Sequence, residues 1–244
     1  MNATRCTLDD FDAMTFDCYG TLIDWERGIL DALEPWRRRH DLVLSGDDLL
    51  ALYAQSEPKH EAATPAKPYP EILKHVLADV ARSLDVDALD DELTAFSRSV
   101  RDWPAFPDSP DALRLLKQHY KLVVVSNVDR GSFAYSNAKL GVEFDLIVTA
   151  EDVGSYKPDP RHFEFALESL GEMGVPPERV LHVAQSLYHD HVPAKALGLH
   201  TAWINRRAGK PGSGAAPPPA PAVHPDIIVD NLAALVEMRG AGSP

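Results

Sequence analysis

The chain has 244 residues, 45% hydrophobic and 25% charged, an ordinary globular composition with length for one large domain or a core carrying an insert. Its formal net charge of −13 argues against a nucleic-acid or anionic-membrane partner. Small anionic substrates stay open, because local positive charge can outweigh the global sign. The two cysteines, Cys6 and Cys18, have no metal-ligand spacing and read as reduced thiols in a cytoplasmic protein. The acidic start has no basic region followed by an apolar run, so no signal peptide is expected. No apolar run approaches bilayer-spanning length.

In chain order, the first informative stretch is Ala13-Met14-Thr15-Phe16-Asp17-Cys18-Tyr19-Gly20-Thr21. A short, mostly apolar run stops at a carboxylate and is followed by a Gly-Thr turn. If the run is a buried strand, Asp17 lies just past its carboxyl end, where open α/β sheets bind ligands. Cys18, beside it, is either a reactive thiol or a small apolar filler.

Trp25 to His40 has apolar residues at helical spacing, with a kink or break expected at Pro35. A second helix begins near Asp47 and Asp48. A prolyl loop covers 64–70, a third helix carries Ile72, Leu73, Val76, Leu77 and Val80, and a fourth carries Leu89, Leu93, Phe96 and Val100. The region from Trp25 to Trp103 shows no strand and reads as a small helical domain.

From Ala105 onward, strands alternate with helices. A helix over Asp111–Tyr120 precedes the β-branched run Lys121–Val125, which ends at Ser126-Asn127. Next come a helix around Phe133–Leu140, a strand over Phe144–Val148, the loop Ser155-Tyr156-Lys157-Pro158-Asp159-Pro160 and a helix from His162 to Leu170. The strand Val180–Val183 leads through a polar turn to a helix over Val192–Leu197. Short strands at Thr201–Ile204 and Ile227–Val229 follow. The Gly-, Ala- and Pro-rich stretch Gly209–Pro221 reads as an exposed loop. This alternation predicts an α/β fold with a doubly wound, mostly parallel, Rossmann-like sheet.

Four points then fall at strand ends or in the loops between strands: Asp17, Ser126-Asn127, Lys157 and Asp190. In order and type they resemble the four motifs of the haloacid dehalogenase superfamily, and within it the type II 2-haloacid dehalogenases. The resemblance covers nearly the whole chain. It implies a core domain over 1–24 and 105–244 and an inserted helical cap domain over 25–104. It also implies that Asp17 is a nucleophile.

The residues support that chemistry on their own terms. A carboxylate can attack carbon and form an ester, dividing one hard displacement into two easier ones. Lys157 is expected to keep Asp17 ionised with a low pKa. Ser126 and Asn127 are expected to hydrogen-bond it, with Asn127 also able to donate to a leaving anion. Asp190 either orients Lys157 or helps activate water. The expected catalytic set is Asp17, Lys157, Ser126 and Asp190. Expected substrate contacts are Tyr19, Asn127, Gln185, Ser186, His189 and Trp25. For His189 and His191, contact with halide or water stands beside a structural role at a helix start. For Trp25, a pocket wall stands beside core packing.

Phosphatases of the same superfamily use a second aspartate two residues after the nucleophile, together with magnesium. Here that position is Tyr19, a poor proton donor. The Gly-Asp pair usual before Asp190 is Ala184-Gln185, which leaves little charge for a hard dication. The sequence therefore points to halide displacement from a short 2-haloalkanoic acid, with no metal and no cofactor. A magnesium-dependent phosphatase is the alternative, and a non-catalytic scaffold a third reading. The partner expected is a small halogenated carboxylic acid. A homodimer is compatible with the resemblance, although no apolar stripe marks an interface. The arginine that such dehalogenases often carry early in the cap to bind the substrate carboxylate is missing from Tyr53–His60. The nearest basic residues are Lys59, His60, Lys67 and Arg27.

Overall fold

The structure, a computed structural model, describes residues 6–210, 212, 214–218 and 222–240. Its centre is β1 (Ala13–Phe16), buried along its whole length. The flanking strands are β2 (Lys121–Ser126) and β4 (Val180–Ala184); Phe16 lies opposite Val124 on one side and Val183 on the other. With β3 (Leu146–Thr149), β5 (His200–Ile204) and β6 (Ile227–Val229) they form one parallel sheet, ordered β3-β2-β1-β4-β5-β6.

Side chains alternate across this sheet with the period of two that strands impose. Met14, Phe16, Leu122, Val124, Leu181 and Val183 enter the larger core. Ala13, Val123, Val125 and Val180 face the other way, onto Phe163, Ala166 and Leu170 of α8 (Arg161–Glu172). Helices on both faces explain why the strands read as continuous apolar runs. The chain passes from β1 outward to β2 and β3, then returns to β4 on β1's other side. Strand order thus reverses at β1, and the crevice beyond its carboxyl end is where such sheets bind ligands.

Between β1 and β2 run α1 (Trp25–Arg39), α2 (Gly46–Ala63), α3 (Tyr69–Ser83) and α4 (Asp90–Ser97). Ser45 caps α2, exchanging hydrogen bonds with Asp48. Pro35 does not break α1: Ile29, Leu33 and Trp36 bury one face, and that packing outweighs the lost main-chain hydrogen bond. Pro58 is likewise inside α2. The prolyl loop is shorter than its composition suggests, because α3 begins at Tyr69.

After the insert come α5 (Ser109–Leu116), α6 (Arg130–Leu140), α7 (Ala150–Val153), a π-helical turn over Leu187–His191, α9 (Val192–Ala196) and α10 (Leu232–Gly240). The stretch Gly209–Pro221 departs from a simply exposed loop. Ala215 and Ala216 are buried, and the Ala215 N–H donates to Glu26 at 3.1 Å, tying this segment to the start of α1. Residues 211, 213 and 219–221 of that stretch lie outside the described residues. No helix among the described residues is long and apolar enough to cross a membrane.

Candidate active site

Asp17 is the first residue beyond β1, and its N–H still donates to Val183 of β4 at 3.1 Å. The chain then turns tightly. Gly20 has φ +92°, and a Cβ there would lie 2.9 Å from the Trp25 indole nitrogen, so conformation and space both call for glycine. This turn delivers Thr21 back to the site. Its hydroxyl donates to Asp17 Oδ2 at 2.6 Å and accepts the Gln185 N–H at 2.8 Å.

Lys157 is almost completely buried, and its Nζ has three acceptors: Asp190 Oδ1 at 2.6 Å, Val125 O at 2.8 Å and Asp17 Oδ1 at 2.9 Å. Three acceptors match the three protons of an ammonium, so the group is held as a cation and orients Asp17 through one oxygen. Burial works against that charge, but Asp17 and Asp190 outweigh it and hold Lys157 above the ordinary lysine range. For Asp17 the expectation of a low pKa is overturned. Burial dominates, Lys157 pulls the value back and Asp190 adds to the rise, so the net direction is upward. Asp190 is raised for the same leading reason, burial.

Behind this triad, His182 Nε2 lies 3.1 Å from Asp190 Oδ1, while its Nδ1 meets the Thr15 hydroxyl at 2.9 Å. Burial and then Lys157 push His182 down to about 3, so it is neutral and positions Asp190 as a donor. Asp190 Oδ2 has no hydrogen-bond partner among the described residues.

The predicted residues divide into those that reach the cavity and those that do not. A cavity of about 30 Å³ beside the triad is lined by Asp17, Tyr19, Trp25, Asn127, Lys157, Ser186, His189 and Asp190. Ser126 is not in the lining, and its buried hydroxyl makes no bond to Asp17; Thr21 fills that place. Asn127 does not bond Asp17 either. Its amide accepts the Lys157 N–H at 2.7 Å and donates to Lys157 O at 3.1 Å, fixing the lysine loop. Gln185 lies outside the lining, where its carbonyl accepts from the Trp203 indole at 2.9 Å.

His191 is buried against Ala184 O at 3.0 Å and takes the structural role. His189 faces the cavity; burial and Lys157 bring it down to about 3, so it is a neutral ring. Cys18 is fully buried, and burial and the Asp17 charge push its thiol well up, so it fills space as an unreactive group. Trp25 both lines the cavity and packs edge-on against Tyr53.

Sequence reasoning missed the cavity's far wall. Glu57, Glu61, Tyr69 and Val128 complete the lining. The hydroxyls of Tyr53 and Tyr69 both donate to Glu57 Oε1 at 2.6 Å. A signal was present: Tyr53, Glu57 and Glu61 recur every four residues and so share one face of α2.

A magnesium ion, as superfamily phosphatases use, does not fit these residues. The ammonium of Lys157 already bridges the two carboxylates that would ligate it, and among the described residues no three His, Cys, Asp or Glu side chains converge in metal-binding geometry.

Comparison with known proteins agrees with this architecture. The profile of the haloacid dehalogenase-like hydrolases matches residues 11–198. The (S)-2-haloacid dehalogenase 4A of Burkholderia cepacia is 27% identical over 219 residues, covering 84% of this chain and 87% of that protein. The (S)-2-haloacid dehalogenase of Pseudomonas sp. strain YL is 30% identical over 210 residues, covering 82% and 84%. Among solved structures, the L-2-haloacid dehalogenase from Xanthobacter autotrophicus superposes with a TM-score of 0.75 at 21% identity, over 96% of this chain and all of that one. With the family profile covering residues 11–198, most of the chain, this protein belongs to the haloacid dehalogenase-like hydrolase family.

Proposed function

We propose that the protein is a hydrolytic dehalogenase that displaces halide from a short α-halogenated acid or a close derivative of one. The names of its curated relatives support 2-haloacids as the reference class. One observation carries the reaction type: the Tyr19 hydroxyl lies 2.9 Å from Ser136 Oγ, and burial pushes its phenol well up. The position from which an acid would protonate a leaving alkoxide therefore holds a committed, weakly acidic group. A halide leaves as an anion and needs no proton.

In this reading an Asp17 carboxylate oxygen attacks the halogen-bearing carbon from the side opposite the halogen. A C–O bond forms, the C–halogen bond breaks with its electron pair on the halide, and the carbon inverts. Water then adds to the Asp17 carboxyl carbon. The ester's acyl–oxygen bond breaks, the alcohol leaves with one proton, and Asp17 is restored. For a 2-haloacid the product is the 2-hydroxy acid. Asp190 Oδ2, which is free to accept from that water, is the proposed base, and Lys157 holds Asp17 in line. Residues 25–104 act as a cap that must open to admit substrate.

Two measurements test this reading. Halide release from chloroacetate, 2-chloropropionate, fluoroacetate and chloroacetamide is expected to continue in the presence of a chelator, while release of phosphate from a generic phosphomonoester is not expected. Chelator-sensitive phosphate release would overturn the reading. Because burial raises Asp17, the acid limb of kcat/KM is expected above the ordinary aspartate value of about 3.9. Turnover is full above that limb and lost below it as Asp17 takes a proton. A profile flat to pH 4 would contradict this.

A further inference from the structure

The wall of the cavity opposite Asp17 is acidic. Glu57 and Glu61 stand one helical turn apart on α2, 3% and 4% exposed, and both line the cavity. Glu61 Oε1 accepts from Asn127 at 3.4 Å, while its Oε2 lies 4.0 Å from His189 Nε2. That His189 nitrogen is buried and has no hydrogen-bond partner among the described residues. The lining therefore gathers four carboxyl groups, Asp17, Glu57, Glu61 and Asp190, around a single cation, Lys157, whose three protons are already placed. None of Arg27, Lys59, His60 or Lys67, the basic residues nearest in sequence, belongs to the lining; His60 is paired with Asp79 and Lys67 with His75.

A free substrate carboxylate would be a fifth acidic group in this space and would find no unshared cation, which is costly in a buried site. A group that donates hydrogen bonds finds carboxyl oxygens able to accept, and an ammonium would also supply the missing counter-charge. Resting on the dehalogenase reading above, we propose that Glu57 and Glu61 select a substrate whose halogenated carbon carries a nitrogen-bound donor, an amide or an ammonium, in place of a free carboxylate. Burial pushes Glu57 up to about 7, and burial with Glu57 beside it pushes Glu61 higher than an ordinary glutamate, as expected for acids lacking a counter-cation.

Binding tests this without requiring turnover. Glycolamide and glycolate, the products expected from chloroacetamide and chloroacetate, are matched in size and differ in the donor and the charge. By calorimetry on the whole protein, glycolamide is expected to bind at least about tenfold more tightly than glycolate, which corresponds to about 1.4 kcal/mol. Glu61→Gln keeps the side chain's size and should bring the two affinities together; Glu57→Gln should do the same in part. Halide-release kcat/KM should favour chloroacetamide over chloroacetate by a similar ratio, with the same collapse in Glu61→Gln. Tighter binding of glycolate, or no binding of either compound, would overturn the proposal. Glycolamide binding without halide release from any substrate would leave the donor-selecting wall standing and remove the dehalogenase reading instead.

Discussion

Replacing Asp17 with asparagine is expected to lower kcat by about 10⁴-fold or more while leaving the protein folded. The carboxamide keeps the shape of the side chain at the end of β1 but removes the nucleophilic oxygen pair. It also puts an N–H₂ group where either Lys157 Nζ or the Thr21 hydroxyl now donates, at 2.9 Å and 2.6 Å. Neither donor can be accepted by an amide nitrogen, so the lysine loses an acceptor as well as a counter-charge. Steady-state halide release with circular dichroism beside it checks both halves. Retention of more than a few per cent of wild-type turnover would rule out Asp17 as the nucleophile.

Lys157→Ala is expected to have the second-largest effect, and it separates an enzyme from a non-catalytic scaffold. Removing the ammonium leaves Asp17 and Asp190 buried side by side and takes from Val125 O the Lys157 donor. Breaking a buried pair in this way costs about 3–5 kcal/mol of stability. The more informative readout is turnover. Without the cation, the two carboxyls compete for a proton, Asp17 is protonated at neutral pH, and kcat should fall by about 10³-fold, with the acid limb moved to higher pH. Partial rescue by added ethylammonium would show that the loss is one of charge and placement and not of fold. Turnover unchanged in a folded Lys157→Ala protein would mean that the ammonium has no part in the reaction.

The residues that can be read from the sequence are those fixed by strand ends. Asp17 and Lys157 are identified by what surrounds them in the chain, an apolar run that stops abruptly or a prolyl loop before a helix; Asp17 follows β1, Lys157 lies in the loop between α7 and α8, and the bonds of that loop to Asn127 and Val125 bring the two within one hydrogen bond of each other. Ser126 shows the limit of that reasoning. It is the last residue of β2, yet its hydroxyl makes no bond to Asp17, and Thr21, returned by the turn at Gly20, takes the place assigned to it.

Glu57 and Glu61 show a different limit. Charged residues on a helix read as a solvated face, and only the placement of α2 over the carboxyl end of β1 makes theirs a buried one. Pro35 shows a related effect: local propensity argues for a kink or break in α1, and burial of Ile29, Leu33 and Trp36 keeps the helix running through it.

In the ester mechanism the oxygen delivered to the product comes from Asp17 and not directly from water. A single turnover with enzyme in excess, run in ¹⁸O-water and followed by mass spectrometry of the product and of the peptide containing Asp17, tests it most directly. An unlabelled hydroxyl in the product and one ¹⁸O in the Asp17 carboxylate are expected. Label in the product after that first turnover, with Asp17 unlabelled, would mean that water attacks the substrate carbon itself, and the ester mechanism would be wrong.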